Sequence, residues 1–342
     1  MKLSELRRTI EAYPEDRLRL ILVEMYKALP KKLIEEKQID PLIVNTNKTL
    51  EQRKITKQAD NAPNFEMIKT ETETFLHHAY QQHYFAPNRE IHKKDRPKWR
   101  FIVKRLTEQL AAILHQEEHA AEASVLLEKL YKMLCYASGH YLFSSVEPFN
   151  SIRIPQSDYF RSVVASKAAC QQPQVWIRES IELMVKQGTD QETLVDSLIE
   201  VLLEFLKTAP LKELAIEQCD RIIADWKAKG PSGRRSAYGS HSEYEYRDHL
   251  NQVHLIRFYC GIRLNEYDAA IREFKNSFRE TANNPEVDLY ILLQHLCQFD
   301  LPKLWVREYE AAIHGGVKPR EALQRMYLYL TEHKQFPEHY YY

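Results

Sequence analysis

Between Tyr246 and Leu264 the chain sets its apolar side chains three or four residues apart twice over, and that double period limits what it can fold into. Tyr246, Leu250, Val253, Ile256, Cys260 and Leu264 mark one face of a helix, and Leu255, Tyr259 and Ile262 mark a second stripe on it. A helix apolar on two sides cannot be satisfied by one partner, so it must be stacked between neighbours. Asn265-Glu266 interrupts the pattern. Tyr267, Ala270, Ile271, Phe274 and Phe278 then resume it as a second helix. Asn283-Asn284-Pro285 ends that helix, because proline cannot extend a helical turn and disfavours helix just before itself.

Similar helix pairs recur about every 30–45 residues without a strict repeat. Residues 3–12 and 15–28 read as a helical hairpin with Pro14 in the first turn of the second helix, and Leu18, Ile21, Leu22, Met25 and Leu29 as its buried face. A helix follows from Phe65 to Tyr84. Faces starting at Trp99 and Val125 meet at a bend near Gln116–His119. The segment from Ser138 to Gln156 has no clean period and reads first as an apolar strap over helix ends, with a functional loop as the alternative. Helices over 158–170 and 173–187 come next, the latter closed by Gly188. Thr189 and Glu192 then offer a capping box to the following helix. Pro210 opens a helix running to Lys229, and further helices fall near 286–299, 302–314 and 319–334. No stretch sustains period-two alternation, so no sheet is expected.

Tyr267-Asp268-Ala269-Ala270-Ile271, with Phe274, Phe278 and Asn283-Asn284-Pro285, resembles the second helix of a tetratricopeptide repeat, and residues 254–285 cover about one such unit. Upstream the chain departs from that family, with Phe258 where it has a small glycine and Arg257 where it has leucine. The resemblance implies stacked helix pairs and peptide binding, and no catalysis. The first thirty residues are similar to the charged, leucine-rich openings of uncharacterised bacterial all-helical proteins, which implies no function. The expected fold is therefore all-α. It is an irregular right-handed α-solenoid of antiparallel TPR/HEAT-like helix pairs with a small N-terminal helical module. The expected divisions are 1–62 (helical hairpin and charged linker), 63–156 (helical subdomain) and 157–342 (solenoid).

Composition removes several classes. Only 8 glycines occur in 342 residues. Glycine supplies the phosphate-cradling turns of nucleotide-binding α/β enzymes, and its share in ordinary chains is about 7%. The formal net charge is +0, which gives no global pull toward nucleic acid or membrane. The five cysteines are widely spaced with no CxxC pair, as expected of buried thiols in a reducing compartment. Met1 to Arg8 holds no apolar signal segment, and Leu198–Leu206 is broken by Glu200 and Glu204, so the expected location is cytoplasmic.

Four constellations have chemical readings. His115-Gln116-Glu117-Glu118-His119 has the H-x-x-E-H spacing of inverted zinc peptidases, with His115 and His119 as ligands and Glu118 polarising water if all three lie on one helix. A solvated bend is the competing reading. Lys93, Lys94, Arg96, Lys98, Trp99 and Arg100 belong to a basic run over 88–105 that suits phosphate tracking and base stacking, unless Trp99 faces the core. Asp196, Glu200 and Glu204 form an acidic row that reads first as an exposed helix face. Arg247, His254 and Arg257 share one side of the helix that the tetratricopeptide resemblance assigns to an inner wall, where arginine suits a carboxylate. Arg234 and Arg235, on the Gly230–Ser240 loop, are further binding candidates, and that loop is expected to be protease-sensitive.

The expected function is a non-catalytic scaffold or adaptor that binds a protein or peptide on a concave helical surface, with no cofactor. Nucleic-acid binding through 88–105 is the alternative, and a metal-dependent hydrolase at His115 and His119 the third reading.

Overall fold

A computed structural model describes residues 3–37, 39–46, 48–49, 64–230, 241–278 and 284–337. Every regular element among them is helical, and no strand occurs among the described residues. The chain forms two compact units, Met1–Asn64 and Phe65–Tyr342.

The first unit contains α1 (Leu3–Glu11), α2 (Glu15–Ala28), α3 (Lys31–Glu36) and α4 (Ile39–Val44). Pro14 caps α2 through its carbonyl, which accepts from the Arg17 and Leu18 amides. The Tyr26 hydroxyl donates to Asp40 Oδ1 at 2.6 Å, tying α2 to α4. The expected buried face of α2 does not exist. Leu22 and Met25 are exposed, and Leu18, Ile21 and Leu29 are only half-buried. Thr49 is the one buried side chain among those described in this unit. Helices of 6 to 14 residues on so short a unit cannot enclose a core.

The second unit contains thirteen helices among its described residues, starting with α5 (Phe65–Tyr80), α6 (Trp99–Ile113), α7 (Ala120–Gly139) and the short α8 (Pro148–Ile152). Then come α9 (Gln156–Cys170), α10 (Pro173–Gln187), α11 (Val195–Phe205), α12 (Ala209–Lys229) and α13 (His241–Arg263). The series closes with α14 (Tyr267–Ser277), α15 (Pro285–Gln298), α16 (Pro302–His314) and α17 (Glu321–His333). Proline at the first turn opens α8, α10, α12, α15 and α16, where its missing N–H costs nothing.

Packing follows an alternating rule. α5 packs on α7, α7 on α9, α9 on α11 and α11 on α13, while most helices also touch their sequence neighbours. α13 contacts α10, α11, α12 and α14, with Val253, Ile256 and Cys260 fully buried on one side and Leu255, Phe258 and Ile262 buried on another. Both of its apolar stripes are covered.

The irregular 138–156 segment is an apolar strap: Leu142, Phe143, Phe149 and Ile152 are all buried. Phe143 stacks on Trp99 at 3.9 Å between ring centroids. Gly188 closes α10 with φ +70°, the left-handed turn that favours glycine. The capping box expected at Thr189 and Glu192 is absent, because α11 begins only at Val195 and Leu194 is its cap. Asp190 supplies the local acceptor instead, its Oδ1 receiving the Glu192 and Thr193 amides at 3.1 and 2.7 Å.

Candidate functional site

An apolar groove of about 630 Å³ opens between α13, α14, α15 and α16. Helical spacing builds its floor. Phe274 and Phe278 lie one turn apart and stack at 4.6 Å, and Leu289 and Leu292 face them from α15. Ala312 and Val317 form the far wall. Residues 279–283, which join α14 to α15, lie outside the described residues.

The rim is charged. Lys275 on α14 reaches Glu308 on α16, Nζ to Oε2 at 2.9 Å, and Arg307 holds the other Glu308 oxygen at 3.0 Å. Glu308 is buried, so this pair pins α14 to α16 across the groove. Arg247 and Asp288 also line the groove. The Arg247 guanidinium lies 5.2 Å from the ring centroid of exposed Tyr244, and among the described residues it forms no ion pair. A half-buried guanidinium with five donors beside an apolar trough suits a carboxylate on an apolar ligand.

The three residues expected to stand together on α13 occupy three environments. Arg247 faces the groove. His254 is buried, its Nδ1 without a hydrogen-bond partner. Burial, aided by Lys227 and Arg257, pushes its pKa down to about 4, so the ring is neutral. Arg257 is engaged, its Nε donating to Asp220 Oδ1 at 2.7 Å and its Nη1 lying 3.7 Å from Glu273. Arg234 and Arg235 lie outside the described residues, as does most of the loop that carries them. Lys275 and Glu308, 33 positions apart, carry no local signal in the sequence.

A second, polar cavity of about 430 Å³ lies between α7, α9 and α10. At its floor Lys167 is buried with its Nζ 2.5 Å from both Glu128 and Glu179. Glu128 also pairs with Lys132. Glu182 is held by Arg178 at 3.0 Å and Lys186 at 2.5 Å. Burial alone would lower the Lys167 pKa, but its hydrogen bonds to Glu128 and Glu179 outweigh it and hold the pKa above the ordinary value. An ammonium so fixed is no nucleophile, since nucleophilic lysine must be deprotonated.

The remaining candidates are dispersed. His115 to His119 form a turn between α6 and α7 rather than one helix face, and the His119 ring stacks on Phe65 at 4.5 Å. Among the described residues no group of three or more His, Cys, Asp or Glu side chains is placed to hold a metal ion. In the basic run Trp99 is buried against Phe143, while Lys93, Lys94, Lys98 and Arg100 are exposed. In the acidic row Glu204 accepts from Nε and Nη2 of Arg161 at 2.9 and 3.0 Å, and Glu200 accepts from Arg263 at 3.2 Å. Each engages a neighbouring helix rather than the other.

Cys135, Cys219 and Cys260 are buried, and burial raises all three thiol pKa values, to about 12 for Cys135 and Cys260. No described helix is long and apolar enough to cross a membrane. No family model, curated protein or solved structure matches the chain.

Proposed function

We propose that the protein is a non-catalytic cytoplasmic scaffold or adaptor that receives a protein or peptide segment in the groove between α13 and α16. The alternating packing of α5, α7, α9, α11 and α13 supports the irregular right-handed α-solenoid with TPR/HEAT-like pairs as its frame. One observation carries the functional reading: an apolar trough is lined by Arg247, a cation with no ion pair among the described residues. The ligand that fits is a short amphipathic helix or extended segment. Its apolar side chains fill the space over Phe274 and Leu292, and its carboxylate meets Arg247.

The test is a displayed-peptide selection on the whole chain. Selected peptides are then measured against Arg247→Glu, which reverses the charge, and Ala312→Arg, which fills the trough, with circular dichroism as the fold check. The expected peptides carry an acidic residue beside apolar residues at helical or alternate spacing. Each variant should weaken them by about tenfold or more. Peptides that bind all three proteins equally would remove the groove from consideration.

A further inference from the structure

One end of the second unit gathers features that no part of the peptide reading uses. The C-terminal ends of α5 and α7 and the start of α6 meet there over a buried aromatic cluster. Trp99 stacks on Phe143, and Tyr84 lies 6.0 Å from Phe143 and 5.1 Å from Phe75. Above that base the chain exposes rings rather than burying them. Phe85, next to Tyr84, stacks on Tyr141 at 5.5 Å and 22°. Tyr136 stacks on His140 at 3.9 Å and 6°, and Tyr80 lies 5.8 Å from Tyr136. Tyr80, Phe85, Tyr136 and Tyr141 are 47, 43, 42 and 62% exposed. Four large rings held at that exposure, in pairs, form a ready platform.

The basic segment is anchored beside this platform. Asn88 folds it back, its Nδ2 donating to the His83 and Ala86 carbonyls at 2.6 and 2.7 Å. Asn88 Oδ1 accepts from the Glu90 and Ile91 amides in return. Lys98 is neutralised by Asp95 at 2.7 Å, and Arg96 donates to the Ile91 carbonyl. Arg89, Lys93, Lys94 and Arg100 are exposed and, among the described residues, form no ion pair. Arg100 lies over the exposed ring of Phe101 at 4.9 Å. Residues 88–105 carry eight lysines and arginines against Glu90 and Asp95, so local charge is positive although the whole chain is neutral.

We infer that this end of the unit binds single-stranded nucleic acid, with bases stacked on the Phe85–Tyr141 and Tyr136–His140 pairs and phosphates on Arg89, Lys93, Lys94 and Arg100. Exposed rings followed in the chain by unpaired cations match the way single strands are held, each base offering a π-face and each linkage a negative charge. A paired duplex hides its base faces and cannot use the rings. A protein partner fits less well, because interface cores are depleted in lysine. Trp99 serves this surface only from below, as part of the buried base that positions Phe143 and the strap.

The experiment uses the full chain and labelled oligothymidylate and oligouridylate of about 20 nucleotides, with a duplex of equal length, read by fluorescence anisotropy between about 50 and 200 mM salt. Single strands should bind more tightly than the duplex. The exposed pair Phe85→Ala/Tyr141→Ala should weaken single-strand binding by about tenfold or more. Lys93→Ala/Lys94→Ala should weaken it and flatten the salt slope by about one. Arg247→Glu, in the other groove, should leave it unchanged. Either of two results overturns the inference. One is unaltered anisotropy with every oligonucleotide, which leaves the rings to a protein partner. The other is binding that ignores the aromatic double variant and takes duplex equally well.

Discussion

Gly261 on α13 faces Ala270 on α14 so closely that a Cβ on the glycine would stand 2.9 Å from the alanine Cβ. This is the tightest helix crossing measured at any described glycine, and it sets the spacing of the pair that the groove is built on. Gly261→Val would drive a branched side chain into the Ala270 backbone. Overpacking of this kind costs about 1–3 kcal/mol, read as a lower urea midpoint with an unchanged slope.

The two arginines of α13 should separate cleanly in stability. Arg257 ties α13 to Asp220 on α12 and Glu273 on α14, so Arg257→Ala should cost about 0.5–1 kcal/mol. Arg247 has no such tie, and Arg247→Ala should fall within about 0.5 kcal/mol of the parent. Equal losses for both in urea titration would contradict the ion-pair assignment.

His254 gives the protein an acid-sensitive step. Its folded pKa of about 4 lies below the ordinary 6.5, so between these values the unfolded chain binds a proton that the folded chain does not. Stability therefore falls as pH drops through that window. Passing from pH 7 to pH 5 should cost on the order of 2 kcal/mol through this one ring. Buried His295, with its pKa also lowered, adds to the loss in the same direction. His254→Leu should lose markedly less stability than the parent between these two pH values.

The Lys167 site acts over a different range. The Glu128 carboxyl is pulled below its ordinary pKa: burial opposes this, but hydrogen bonds from Lys132 and Lys167 prevail. Its stabilisation is present above about pH 4.5 and fades as pH falls through the depressed pKa. Glu128→Gln leaves Lys167 with Glu179 alone and should cost about 1–3 kcal/mol at neutral pH, with a shallower loss toward acid.

Helix positions were largely legible because proline and apolar period report directly on backbone geometry. Pro173 and Gly188 bracket α10, and Asn265, with φ +63°, makes the break between α13 and α14. What depended on distant partners was not legible. Arg247 and Arg257 look alike until Asp220 and Glu273 are brought beside one of them. Trp99 reads equally as a stacking platform or a core residue until Phe143, 44 positions on, lies against it. Leu22 and Met25 have the spacing of a buried face, but spacing records only which residues share a side, not whether anything covers it. Asp190 took the acceptor role from Thr189 and Glu192 because α11 starts later than its apolar period suggests.

The three buried thiols have a practical consequence. Cys135 sits on α7, while Cys219 on α12 and Cys260 on α13 lie near each other on two packed helices of the same unit. Each is silent to alkylating reagents while its helix is seated, since the reactive species is the thiolate and burial suppresses it. Labelling rates followed by peptide mass mapping would therefore time the opening of two places in one molecule, α7 and the α12–α13 pair. Matched rates would mean that the helix array comes apart as a single cooperative body, and staggered rates that it unzips from one end.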